Sequence, residues 1–97
     1  MGSQDIAYYK RCLASKGEIT VYDKANSQIV TYANHNGKLV MKSGEQTLEG
    51  RDAAISFLSL NSNPSLKFSV TKEGDHCISR EFMSFLNQTE SELKEQA

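Results

Sequence analysis

The sequence contains few cysteines, little excess charge and no long hydrophobic run. Its two cysteines, Cys12 and Cys77, lie far apart, which favours reduced thiols over a disulfide. Eleven basic and twelve acidic residues leave a net charge of −1, which argues against a basic surface for nucleic acid. No apolar run approaches the roughly 18 residues that a membrane span needs. We therefore expect a cytoplasmic protein that binds neither nucleic acid nor membrane.

The length of 97 residues is that of one domain, so we expect a single domain over residues 1–97. A chain of this size buries roughly two-thirds of its unfolded surface and needs no disulfide or metal to fold. The first ten residues lack the apolar run of a secretion signal, which agrees with a reducing compartment.

Motifs that carry chemistry are also scarce. Neither GxGxxG nor GxxxxGK[ST] occurs, and the cysteines and histidines lack the paired spacing of a zinc site. His35 lies beside a predicted turn, where an exposed polar side chain is expected. His76 and Cys77 are neighbours that point in different directions, and Cys77 is expected to be a small buried filler. We predict no catalytic activity, no metal and no cofactor.

Hydrophobic periodicity and turn residues predict the order α-β-β-β-α-β-α, an α+β domain with an antiparallel sheet of about four strands. The first helix is expected to begin after a Ser3 cap, and Gly17 is expected to end it in the left-handed conformation. Pro64 should stop the second helix, and Thr89 has the spacing to restart the last one. The expected bounds are 3–15, 18–23, 28–33, 38–42, 50–60, 66–71 and 79–95, with a polar loop at 43–50.

The segment ANHNGKLVM, residues 33–41, poses the question of whether a polar loop binds a ligand or only turns the chain. An Asn-Gly pair between two alternating runs is a strong hairpin signal, because both residues tolerate the positive φ of a type I′ turn. Asn36-Gly37 is therefore predicted to be a hairpin turn, with a ligand-binding loop as the alternative.

The first three predicted strands are apolar on both faces, whereas a sheet open to water normally has one polar face. One face is expected to hold Ile19, Val21, Ile29, Leu39 and Met41. The other is expected to hold Tyr22, Val30, Tyr32 and Val40. The last helix could cover this second face; otherwise it is an association surface, for which tyrosine is a typical residue.

Four segments follow one another between Gly17 and Val70: GEITVY, IVTYANHNGKLVM, EGRDAAISFL and SLKFSV. With these segments in this order, the chain from Gly17 to Val70 resembles the PATAN (PatA N-terminal-like) domains of bacterial signalling proteins. The resemblance implies a non-catalytic adaptor domain that works by protein–protein contact, with another protein or with a second copy of itself.

The interaction surface expected from these observations comprises one sheet face and the rim of the hairpin. Its residues are Tyr22, Val30, Tyr32, Val40, His35 and Asn36. Two other hypotheses remain open. One is a sensory domain that binds a small ligand in a cavity near Thr31 and Cys12, and the other is an enzyme with Cys77 as its nucleophile.

Overall fold

The computed structural model describes residues 6–62, 65–75 and 77–96, so the expected roles of Ser3 and Pro64 fall outside the described residues. Three helices and a five-stranded antiparallel sheet confirm the predicted α+β class. The elements are α1 (Ile6–Ala14), β1 (Glu18–Asp23), β2 (Gln28–His35), β3 (Lys38–Ser43), β4 (Gln46–Glu49), α2 (Arg51–Leu58), β5 (Leu66–Lys72) and α3 (Arg80–Gln96). A short 3-10 helix, Ser59–Ser62, follows α2 and extends two residues beyond the expected end of the helix at residue 60.

The strands lie in the order β4-β3-β2-β1-β5. β1 to β4 follow one another along the chain, and β5 then returns to the far side of β1. The expectation of a loop at 43–50 is wrong, because β4 occupies half of it after a turn in which Gly44 has φ 60°. β4 shows no alternation of apolar and polar residues in the sequence, because Leu48 is its only apolar residue. One apolar residue is enough for a short strand at the edge of the sheet.

The hairpin between β2 and β3 is a two-residue turn, as predicted. Asn36 and Gly37 have φ values of 55° and 84°, the left-handed pair that a type I′ turn requires. His35 lies opposite Lys38, so β2 continues two residues beyond its expected end at Ala33. The turn thereby fixes which residues of the two strands share a face.

The expected faces of β2 are wrong. Tyr32 lies opposite Met41, and Val30 lies opposite Val21, so both β2 residues point to the same side as the buried residues of β1 and β3. Ile29 instead lies opposite Tyr22 on the other side. Successive residues of a strand alternate between faces, so an error of one position moves the whole set.

All three helices contribute to a single core on one side of the sheet. α1 packs against β1 and β2, α2 packs against β3 and β4, and α3 packs against α1 and α2. The expectation that the last helix covers the second sheet face is therefore wrong. The buried apolar residues are Leu13, Ala14, Ile19, Val21, Tyr32, Leu39, Met41, Ala53, Ala54, Phe57, Leu58, Leu66, Phe82 and Leu86.

The end of α1 is closed differently from the expectation. Lys16, with φ 69°, takes the left-handed conformation, and Gly17 does not. Gly17 is needed for close packing instead, since a Cβ there would lie 2.6 Å from Cys12 Sγ and 2.9 Å from the Lys72 carbonyl oxygen. The glycine therefore allows the end of α1 to lie against the end of β5.

The start of α3 is as predicted, and its middle is not. The Phe82 amide donates to Ser79 Oγ at 3.2 Å, which confirms Ser79 as the cap. α3 then continues without a break, and Thr89 Oγ1 donates to the Phe85 carbonyl at 2.8 Å within the helix. Within the described part of the chain, no helix has the length and hydrophobicity to cross a membrane.

Candidate interaction site

The sheet surface opposite the helices, called here the open face, carries three directly opposed residue pairs at its centre. They are Tyr22–Ile29, Thr20–Thr31 and Ala33–Val40. Tyr22 is 39% exposed and Ile29 is 59% exposed, and the other four are partly buried. Apolar groups thus extend diagonally across a surface that no described helix covers.

One end of the open face forms a shallow groove beside the hairpin. It is lined by Ala33, His35, Val40, Lys42, Thr47 and Glu49. His35 is exposed at the end of β2, and Asn36 is exposed in the turn beside it. The groove has an apolar floor, with a cation, Lys42, on β3 and an anion, Glu49, on the adjacent strand β4.

The six residues expected to form the interaction surface are therefore divided by the sheet. Tyr22, Val40 and His35 lie on the open face, and Asn36 lies at its rim. Val30 and Tyr32 point into the core. The structure adds Ile29, which was expected on the core side and is the most exposed large apolar residue described.

Tyr32 is a structural residue of the core. Its hydroxyl lies 2.8 Å from Ser56 Oγ, and its ring meets that of Phe57 edge to face with centroids 5.5 Å apart. Burial raises the pKa of Tyr32 above its ordinary value, and the hydrogen bond with Ser56 opposes this only in part. The side chain is fully buried and cannot contact a partner.

Asn34 connects the hairpin to the first helix, a role that the sequence analysis did not assign. Its Nδ2 donates to the Leu13 carbonyl at 2.9 Å, and its Oδ1 accepts from the Gly37 amide at 2.8 Å. The available signal was that Asn34 falls two positions after Tyr32, at a core-facing position where a polar side chain needs partners.

A hollow opens on the opposite side of the sheet, between α1 and the segment after β5. Its lining includes Tyr8, Arg11, Cys12, Val70, Glu73 and Ile78. Thr31 lies on the open face and Cys12 lines this hollow on the helical side, so the two residues named by the ligand-binding hypothesis lie on opposite sides of the sheet. We call this feature the Cys12 hollow.

The two thiols have different surroundings. Burial, together with the negative charge of Glu73, raises the pKa of Cys12, which disfavours the nucleophilic thiolate. Cys77 is exposed, so the expectation of a buried filler is wrong. His76 lies outside the described residues.

The described residues contain no cluster of three or more potential metal ligands. Among the same residues, every buried side-chain nitrogen and oxygen has a hydrogen-bond partner. Comparison of the chain with models of known protein families, with characterised proteins and with solved structures finds no match in any of the three.

Proposed function

We propose that this chain is a non-catalytic interaction module, an adaptor in the cytoplasm of a bacterium, that binds a partner protein through its open face. The single observation that supports this proposal is the exposure of Tyr22 and Ile29 side by side on a sheet face that no described element covers. The resemblance to PATAN domains supplies the context of bacterial signalling or regulation.

The chemistry of the open face suits a protein partner. Burying apolar surface contributes about 25 cal/mol per Å² removed from water, and the exposed ring of Tyr22 and side chain of Ile29 offer such surface. A tyrosine also keeps a hydroxyl for hydrogen bonding at the rim of an interface. Rigid strands hold both side chains in place, which limits the entropy lost on binding.

Charged side chains lie beside the apolar strip that Tyr22, Ile29, Ala33 and Val40 form on the open face. These charges can orient a partner that binds there. Lys42 and Thr47 lie opposite each other, and Val40 lies opposite Glu49, so a cation and an anion flank the strip on adjacent strands. Such charges at a rim affect the choice of partner and its rate of association more than the affinity. His35 and Asn36 extend the polar rim around the hairpin.

The test is cross-linking followed by substitution. A photo-reactive residue at position 40 should cross-link a partner in the producing bacterium, and one at position 88, on the outer surface of α3, should not. Ile29→Glu should abolish capture of the same partner, because it places a carboxylate in the apolar strip. Gln88→Glu is the matched control, an added charge at an exposed helical site.

Both variants must keep the circular dichroism and melting temperature of the folded protein. Equal capture of the partner by Ile29→Glu and wild-type protein would show that the open face is not the contact surface. Cross-linking only from position 88 would place the contact on the helical side.

A further inference from the structure

The tip of the hairpin between β2 and β3 carries a residue pair with a chemical reactivity of its own. An asparagine followed by a glycine can lose its side-chain ammonia, because the backbone nitrogen of the glycine attacks the side-chain carbonyl carbon and closes a five-membered ring. Glycine favours this attack, since it has no Cβ to crowd the nitrogen. Asn36-Gly37 is the only Asn-Gly pair in the sequence, and both residues are exposed.

The surroundings of Gly37 leave room for such a ring. Apart from its two chain neighbours, no described residue has a heavy atom within 4 Å of the position that a Cβ on Gly37 would take. The peptide between Asn36 and Gly37 is therefore open to water, and no side chain of the fold blocks the attack sterically.

One hydrogen bond restrains the attacking nitrogen. The Gly37 amide donates to Asn34 Oδ1 at 2.8 Å. To react, the nitrogen must give up this proton, and its peptide plane must turn about the Asn36 Cα–C bond to reach the side chain. Both movements break the bond to Asn34. The reaction therefore begins from a conformation in which this hydrogen bond is open.

The orientation of the Asn34 amide is fixed by the first helix. Its Nδ2 donates to the Leu13 carbonyl at 2.9 Å, so that Oδ1 is the atom left to face Gly37. A flipped amide would set donor against donor at Gly37 and acceptor against acceptor at Leu13. The acceptor for the Gly37 amide is therefore held in place by the end of α1.

We propose that Asn36 is a site of spontaneous deamidation, and that the hydrogen bond from the Gly37 amide to Asn34 Oδ1 slows this reaction. The Gly37 nitrogen bonds to Asn36 Cγ as the bond from Cγ to Nδ2 breaks, and ammonia leaves with the proton of the Gly37 amide. Water then opens the ring. Opening at Cγ gives aspartate, and opening at the backbone carbonyl gives isoaspartate, in which the chain runs through the former side chain.

Either product changes the rim of the open face. The new carboxylate adds a negative charge beside the exposed side chain of His35. Isoaspartate also lengthens the backbone by a methylene group, which disturbs a two-residue turn closed by the pairing of His35 with Lys38. These consequences follow from the chemistry of the hairpin and do not depend on the proposed adaptor function.

The first test follows the mass of the fragment that contains residue 36 during incubation at neutral pH, well below the melting temperature. Replacement of the side-chain NH2 by OH raises this mass. A synthetic peptide of residues 33–41 has no fold to hold the amide and should react at least about tenfold faster than the folded protein. Asn34→Ala exposes the Gly37 amide to water and should react about five- to tenfold faster than wild type, the factor that one hydrogen bond supplies.

Asn34→Asp separates the two contacts of this side chain. A carboxylate still accepts from the Gly37 amide but cannot donate to the Leu13 carbonyl. This variant should lose stability and yet keep the slow reaction of the wild type. Glu90→Ala, which breaks the ion pair with Lys10 outside the hairpin, is a second control for lost stability and should also leave the rate unchanged.

Two further positions assign the modification. Asn36→Asp has no side-chain ammonia to lose, so the fragment that contains it should keep its mass. Asn26-Ser27, in the exposed turn between β1 and β2, is the internal comparison, and its rate of deamidation should be the same in every variant.

Equal rates in wild type and Asn34→Ala would overturn the proposal, and so would a folded protein that reacts as fast as the free peptide. Asn34→Asp reacting as fast as Asn34→Ala would also overturn it, because the contact with Leu13 would then protect the site. Partner capture plays no part in these measurements, so failure of the proposed function would leave their outcome unchanged.

Discussion

Asn34 and Leu13 join the hairpin to the end of the first helix through a hydrogen bond of 2.9 Å from Asn34 Nδ2 to the Leu13 carbonyl. The same side chain accepts the Gly37 amide, so one amide group serves both the tip of the hairpin and a helix end. Carbonyl groups at a helix end lack partners within the regular helix, and the Leu13 carbonyl accepts from both the Lys16 amide, at 3.1 Å, and Asn34.

Asn34→Ala should lower the free energy of unfolding by about 1–2 kcal/mol, because it removes one of the two donors to the Leu13 carbonyl, which also accepts from the Lys16 amide, and the acceptor of the Gly37 amide. Urea denaturation measures the change. Gln28→Ala, at an exposed position of the same strand, is the control and should stay within about 0.5 kcal/mol of wild type. Equal losses in the two variants would contradict the assigned role.

The ion pair between Lys10 and Glu90 should contribute more than the pair between Arg51 and Glu92. Lys10 Nζ lies 2.8 Å from Glu90 Oε1, and the side chain of Lys10 is 9% exposed, whereas that of Arg51 is 50% exposed. Glu90→Ala leaves a nearly buried ammonium without its anion and should cost about 1–2 kcal/mol, a range reduced for the partial exposure of Glu90.

Glu92→Ala is the matched control for that substitution, an acid two positions along the same helix, and it should cost about 0.5 kcal/mol or less. Both are measured by urea denaturation at neutral pH. A larger loss from Glu92→Ala than from Glu90→Ala would show that burial does not decide the strength of these pairs.

Ionisation of Tyr32 should lower the free energy of unfolding at alkaline pH. Its pKa is raised in the folded state, so above about pH 10 the unfolded chain loses this proton first and the free energy of unfolding falls as the pH rises. Tyr32→Phe should cost about 1 kcal/mol at neutral pH by removing the bond to Ser56. The deficit should shrink above pH 10, because phenylalanine does not ionise.

Tyr22→Phe, which removes the same hydroxyl from an exposed residue of the open face, is measured beside Tyr32→Phe as the control for loss of a hydroxyl. The two series are collected by thermal or urea denaturation between pH 7 and pH 11. A constant difference between Tyr32→Phe and wild type over that range would contradict the assigned burial of the Tyr32 hydroxyl.

Thiol labelling at neutral pH should modify Cys77 before Cys12. Cys77 is exposed, whereas burial and the charge of Glu73 hold the pKa of Cys12 above its ordinary value and keep its thiolate scarce. The single-cysteine variants Cys12→Ser and Cys77→Ser allow each rate to be followed by mass spectrometry. Faster labelling of Cys12 than of Cys77 in the folded protein would contradict this ordering.

Much of the fold follows from local signals in the sequence. Asn36-Gly37 predicts its own turn, because the conformation it takes is one that few other residue pairs tolerate. β1 is bounded as expected, and Ser79 caps α3 as expected. In each of these cases, the determining contacts lie within a few residues of the chain.

The faces of β2 could have been predicted from the same turn. A two-residue hairpin places His35 opposite Lys38, and the pairing then sets Tyr32 opposite Met41 in the core. Periodicity alone could not decide, since both alternating sets of β2 contain apolar residues. The candidate site was therefore only partly predicted. The alternation within β1 and β3 placed Tyr22 and Val40 on the correct face, whereas Ile29 was placed on the wrong one.

Other features depend on distant contacts and leave little trace in the sequence. β4 has one apolar residue, Leu48, and is held by pairing with β3. α3 continues through Thr89, whose side chain is buried and donates to the Phe85 carbonyl. Neither the pairing of β4 nor the burial of Thr89 can be read from neighbouring residues.

The position of β5 also sets the order in which the sheet can assemble. Turns of two to four residues join β1 to β4, whereas β5 reaches β1 only by closing a loop of about forty residues, from Asp23 to Leu66. Short loops close faster than long ones, so we expect β1 to β4 to form first and β5 to dock last. Until β5 docks, β1 is therefore the edge strand of the sheet, with one row of its backbone N–H and C=O groups still open to water.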